Sequence, residues 1–437
     1  MAALVCSGIV GAIGLGYVLG YRDVDLWGAI GIPIILCFLT IPFARMVEER
    51  HSSGLANIIT IALVAKMVGA YVRYLIEYHV YSGADTRLYH NSGVRIAETY
   101  SEGGQSLASL FPTSYGTRFI EELNGVVALL TGRSLLASFM VFSWLGFLGL
   151  WAFVAAIRRA VPDADVRLYA ILVLFLPSSL FWSSALGKDA WMLFGLGLIA
   201  TGVARVLTYQ ARGLIFMGAG VLATAMVRPH VTVLVLAAFA LSLVLIRGRQ
   251  GRPLSPVLTL VTVVSIAAAA AFASGPLEKL LPRSQEGFSA VLEATTEQSS
   301  IGGSEIEVST PNSPLEYPAA FITVMFRPLP FEARTFTQLL SSLESAALLT
   351  LVIAWRRRVF GAVGRILGDP FLRFAVLYTL AFAFAWSSVG NLGIMARQRM
   401  QVLPFLLILL CWSPVATRFG PTASAGSPRP KAQAGAM

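Results

Sequence analysis

"SLLASFMVFSWLGFLGLWAFVAA", residues 134–156, runs for 23 residues without a charged side chain and is followed by Ile157 and the pair Arg158-Arg159. As a helix rising 1.5 Å per residue it extends about 35 Å, enough to cross the roughly 30 Å hydrocarbon layer of a bilayer. Paired arginines at the end of such a run belong on the cytoplasmic side. One segment thus implies both an environment and an orientation.

The rest of the chain repeats this pattern. Hydrophobic residues make up 56% of the 437 positions and charged residues 13%, and the mean hydropathy is +0.72. Apolar runs recur at 2–20, 26–43, 55–76, 134–156, 166–183, 189–207, 213–227, 231–246, 254–273, 336–355, 371–389 and 400–417. The predicted fold is all-α, a polytopic transmembrane helix bundle of about 12 spans filling residues 1–420, with 421–437 as a disordered cytoplasmic tail. Residues 1–20 have no basic leader and read as a retained first span. Segment 317–330, "YPAAFITVMFRPLP", is short and broken by proline, and reads as re-entrant or interfacial.

Alternating the spans gathers "RR" at 158, "RGRQGR" at 247, "RRR" at 356 and the "PRPK" tail on one face, the cytoplasmic one. Both termini fall there. The two large loops, 77–133 and 274–335, are then extracytoplasmic. The net charge of +10 is a topology signal and gives no reason to expect nucleic acid. No Walker loop, Rossmann glycine pattern or metal-spaced Cys/His cluster occurs in the sequence. Cys6, Cys37 and Cys411 all lie in apolar segments, where a free thiol behaves as a small hydrophobe, so no disulfide is expected.

Against this background the polar residues stand out. Lys66 lies mid-span, where an unpaired cation costs about 3 kcal/mol, and Lys66, Arg73 and Glu77 share one helix face. That stripe is either a cavity wall for an anionic ligand or an ion-pair ladder between helices. It leads to "YSGADTRLYHNSG", 81–93, where Asp85 and Tyr89 are four apart on a predicted interfacial helix. Asp85 is placed to act as a general base or as a helix N-cap. Lys188 and Asp189 occupy a tight turn between two apolar runs, Lys188 suiting a phosphate and Asp189 a helix cap. Arg228 and His230 in "VRPH", Arg327 and Glu332 in "MFRPLPFEAR", and Arg397 and Arg399 in "MARQRMQVLP" all fall at outer helix ends. Arginine forks suit phosphate oxygens, and several at a low-dielectric rim make an anion site; a single one reads as a snorkelling side chain. Seven glutamates between 274 and 316 belong to a solvated linker or to a lid.

"GADTRLYHNSGVRIAETYSEGG", "FPTSYGTRFIEELNGVVALLTGRSLLAS" and "LFLPSSLFWSSALGKDAWMLFG", together covering about 85–200, resemble GT-C type polytopic membrane glycosyltransferases, the class of protein O-mannosyltransferases and lipid A aminoarabinose transferases. The resemblance implies a polyprenyl-phosphate-linked sugar as donor and a glycan, lipid or protein as extracytoplasmic acceptor. Asp85 would be the base, with Lys188, Arg228, Arg327, Arg397 and Arg399 as phosphate or substrate contacts. A divalent metal ion is compatible with it, although no ligand cluster in the sequence demands one. O-antigen and exopolysaccharide polymerases are a second resemblance, and a lipid or glycolipid transporter or flippase is the non-enzymatic alternative. The expected location is a bacterial cytoplasmic (inner) membrane.

Overall fold

A computed structural model describes residues 24–51, 53–79, 84–103, 112–250, 315–333, 335–387 and 389–412, with 263 and 267. These residues are all-helical, with no strand among them. The first part comprises α1 (Val24–Glu48), α2 (Ser53–His79), α3 (Ala84–Ser101), α4 (Thr117–Thr131) and α5 (Leu135–Ala160). The middle follows as α6 (Val166–Phe175), α7 (Pro177–Phe181), α8 (Lys188–Leu207), α9 (Gly213–Val227) and α10 (Pro229–Gln250). The C-terminal part contains α11 (Tyr317–Phe326), α12 (Phe336–Ala354), α13 (Arg356–Arg365), α14 (Pro370–Trp386), α15 (Leu392–Arg399), α16 (Leu403–Leu406) and α17 (Ile408–Cys411).

Local chemistry sets many of these boundaries. Ser134 accepts the Ala137 N–H at 3.2 Å to begin α5, and Asp165 accepts the Leu168 N–H at 3.0 Å to begin α6. Thr335 and Gln338 cap α12 reciprocally, and Asp369 caps α14, whose first residue is Pro370. Each polar residue satisfies an amide that would otherwise be orphaned.

Packing then depends on small residues. A Cβ on Gly149 of α5 would lie 2.3 Å from the Leu193 carbonyl oxygen, and one on Gly197 of α8 would lie 2.2 Å from the Gly149 carbonyl oxygen. The two backbones approach so closely that only glycine fits at both positions, as in membrane helix pairs, where dispersion rather than water expulsion holds helices together. On the other side of α5, Trp151 donates to Glu48 at 2.8 Å and Trp144 donates to Thr40 at 2.9 Å, fastening α1. The outer face of α1 exposes Ile35, Phe38, Leu39 and Phe43. An apolar surface of this kind is suited to hydrocarbon.

Four described helices are long and apolar enough to cross a membrane: Ile30–Glu48, Gly54–Tyr78, Leu135–Ala160 and Lys188–Leu207. Two bent pairs raise the number to six if each is one span. The chain is on this ground an integral membrane protein. Of the twelve expected spans, 2–20 and nearly all of 254–273 lie outside the described residues, as do the tail 421–437 and most of the loop 274–335. Others are present as shorter apolar helices, including Val166–Phe175, Gly213–Val227 and Pro370–Trp386.

Two expected spans are interrupted. The run 166–183 breaks at Leu176, held extended before Pro177, because a proline disfavours helical geometry in the residue that precedes it. The last run begins earlier than 400: Asn391 caps α15 by accepting from Gly393 at 2.9 Å and Ile394 at 3.1 Å. The chain then bends by 57° between Leu392–Arg399 and Leu403–Cys411.

Candidate functional site

The cleft begins on the last turns of α2. Arg73 and Glu77, one helical turn apart, pair at 3.0 Å, and both are buried. The Arg73 guanidinium also lies over the rings of Phe181, at 4.6 Å, and Trp182, at 5.0 Å. Cation–π attraction is strengthened by the lack of competing water at such a site. Glu77 accepts a hydrogen bond from the Thr86 hydroxyl, which ties the start of α3 to α2. Asp85, in the first turn of α3, is thereby held at the cleft with its side chain exposed.

One turn further on, Tyr89 is buried against the same space. Burial, and after it the Asp85 charge, push its hydroxyl up to about 12, while Arg397 and Arg228 pull it down. It is a neutral hydrogen-bond donor at ordinary pH. Asn124 of α4 donates to the Tyr89 carbonyl at 3.3 Å, so α4 braces the helix that carries both residues.

The opposite wall is the irregular connector 182–187 and the start of α8. Lys188, half-buried, donates to the Thr117 hydroxyl at 2.7 Å. Asp189 is buried, and its two oxygens accept from different arginines: Arg228 at 3.1 Å, and Arg397 through Nε. Arg228 sits at the junction of α9 and α10, and Arg397 on α15, so one carboxylate gathers three distant parts of the chain. Arg228 Nη1 is buried with no hydrogen-bond partner among the described residues.

These groups surround a cavity of about 70 Å³ whose lining includes Arg73, Glu77, Asp85, Tyr89, Asp189 and Arg397. Arg73 and Arg397 line it with Glu77, Asp85 and Asp189, and Lys188 and Arg228 stand just behind, making four cations to three carboxylates. The excess is positive, and Asp189 is already engaged by two guanidinium groups. Among the described residues Asp85 forms no ion pair within 4 Å, and Lys188 donates to the neutral Thr117 hydroxyl. An anion entering here would meet a positive field, and a hydroxyl beside it would meet an available base.

Other residues singled out in the sequence are placed elsewhere. Lys66 is buried within the bundle, donating to the Ser179 carbonyl and to the Ser183 hydroxyl at 2.5 Å. It thus satisfies backbone around α7, where the helix is broken, and does not line the cavity. Arg399 is fully buried, donating to the carbonyls of Met325 at 2.8 Å and Arg327 at 3.1 Å. Arg327 pairs with Glu332, which also accepts the Leu329 N–H at 2.7 Å. Although burial raises it, the Glu332 carboxyl is brought below its usual value by the Arg327 hydrogen bond and the Leu329 amide. His230 is exposed, with its ring 5.7 Å from that of Trp386.

Some groups at the cavity were not singled out in the sequence, namely Thr86, Trp182 and the connector residues Ala185 to Gly187. The string "FWSSALGKD" held a signal for them: serines, alanine and glycine interrupt an apolar run just where an aromatic pair could stack on a cation. Among the described residues no group of three His, Cys, Asp or Glu side chains converges. Among the described residues around the cavity, Asp189 has both oxygens engaged by arginines and Glu77 is shared by Arg73 and Thr86. No family model, curated protein or solved structure matches this chain.

Proposed function

We propose that the protein is a GT-C-like membrane glycosyltransferase that moves a sugar from a polyprenyl-phosphate donor to a glycan, lipid or protein acceptor, in cell-envelope or exopolysaccharide synthesis. The observation that carries this reading is an exposed carboxylate, Asp85, with no ion pair among the described residues, sharing one cleft with Arg397 and with the carboxylate that clamps Arg397 and Arg228. In the reaction, Asp85 accepts the proton of the acceptor hydroxyl as its oxygen bonds to the anomeric carbon. The bond from that carbon to the phosphate oxygen breaks, and the phosphate leaves with the electron pair. Arg397 and Lys188 meet the charge that develops on it, an effect strongest in a site that excludes water. Asp189 keeps Arg397 and Arg228 aimed before substrate arrives, and Tyr89 offers a neutral donor to the sugar or phosphate. No step is assigned to a metal ion.

The same reading completes the topology: about twelve spans in a bacterial inner membrane, both termini cytoplasmic, and the cleft opening to the extracytoplasmic side with the loops 77–133 and 274–335. The arginine distribution supports that orientation. Asp85→Asn tests the chemistry. Its side chain is exposed, so the variant should fold and insert normally while transfer falls by about 10²-fold or more, the usual contribution of a general base. Undiminished transfer by a folded Asp85→Asn protein would remove Asp85 from this role.

A further inference from the structure

We infer that α13 is a docking surface for anionic glycerophospholipid headgroups, lying flat on the membrane at the cytoplasmic end of α12. This goes beyond the proposed transfer reaction; it rests on the topology proposed above and not on that chemistry. The helix leaves the span Gln338–Ala354 at an angle of 74°, the change of direction expected where a chain exits hydrocarbon and turns along the interface. Its sequence, "RRRVFGAVGR", is followed by "ILG", and no Asp or Glu occurs from 345 to 368.

The exposed side of the helix carries apolar and basic groups together. At 100° per residue, Phe360, Val363 and Leu367 align along one edge, and they are 70%, 46% and 56% exposed. Arg356 falls on that same edge one turn before Phe360, Arg357 lies about 60° round from Phe360, and Arg365 lies farther round beyond Gly361; all three are exposed. The inner side is fixed by the protein. Ala362 is buried, and a Cβ on Gly361 would meet the Trp412 ring at 2.1 Å, so the helix cannot roll to bury its apolar edge. Arg358 lies 5.0 Å over the Trp355 ring at the bend, an aromatic–cation pair typical of the headgroup level.

An apolar edge with exposed arginines on and beside it, packed against Trp412 at the end of a span, matches one occupant by charge and polarity together. Acyl chains take Phe360, Val363 and Leu367, and anionic phosphates take the arginines. The cytoplasmic leaflet supplies both, on the side where positive charge is retained.

The test uses the full-length protein in neutral detergent, titrated with phosphatidylglycerol or with phosphatidylcholine of the same acyl chains, bound lipid being counted by native mass spectrometry. The wild type should bind phosphatidylglycerol more tightly, and less so as ionic strength rises. Arg356→Gln and Arg357→Gln should each weaken that binding about fivefold and leave phosphatidylcholine unaffected. Equal binding of the two lipids by the wild type, or unchanged phosphatidylglycerol binding by both variants, overturns the proposal. So does a wild-type dimer that these substitutions dissociate, which would assign the surface to a second copy of the chain. Unfolding temperature separates a lost surface from a lost fold, because the exposed arginine side chains should leave it unchanged.

Discussion

Asp189 controls more of the cleft than any group that faces solvent. Its carboxylate is buried and holds Arg228 and Arg397 at once. Removing a shared partner leaves two cations in a low-dielectric setting, a loss of about 3–5 kcal/mol. Asp189→Asn, which keeps the side chain's shape, is therefore expected to lower the unfolding temperature in detergent sharply, whereas Asp85→Asn is not. Equal stability for the two variants would show that the clamp is not what holds the arginines. Much of this cluster is legible from the sequence, since Lys188, Asp189, Arg228 and Arg397 fall at the ends of apolar runs and Asp85 and Tyr89 on the interfacial helix that follows the third run. What the sequence does not show is the partner. Lys66, Arg327 and Arg399 look the same on paper, yet backbone carbonyls take Arg399 and part of Lys66, and a glutamate five residues away takes Arg327. Carbonyl oxygens have no signature in composition or spacing.

The elements follow the same division. Continuous apolar periodicity makes α8 and α9 readable to within a residue and α2 and α5 to within four, the latter two running on past the apolar run through Glu77 and through Arg158 and Arg159. Breaks are harder: Pro177 divides one run and Asn391 begins another, each by a local effect that hydropathy averages away. The helix α4 is also hidden, since its amphipathic string "TRFIEELNGVVALLT" is too polar to read as a span. At the α5–α8 contact, Gly197→Val should push a side chain into the Gly149 carbonyl and separate the pair. The expected result is loss of monodisperse protein in detergent, and normal yield with normal unfolding would contradict the close approach. Glu332 gives a pH prediction. Its carboxyl titrates lower in the folded protein, so its stabilising effect is complete above the unfolded carboxylate value and is lost as pH falls through the lowered folded value. Glu332→Gln should accordingly reduce the change in unfolding temperature across that acid range, measured against wild type.

For the whole molecule, the described helices form one packed body in which the N-terminal helices carry Asp85 and Tyr89, the middle carries Asp189 and Arg228, and the C-terminal part delivers Arg397. A transferase requires such convergence: base, donor and phosphate contacts must meet although they come from distant parts of the chain. The most direct test is mass spectrometry of lipid that co-purifies with the wild type, Asp85→Asn and Arg397→Gln proteins. A polyprenyl-phosphate-linked sugar should accompany the wild type, accumulate on Asp85→Asn, which binds donor but cannot transfer it, and be lost from Arg397→Gln. Ordinary phospholipids alone, in the same amounts on all three proteins, would contradict the account.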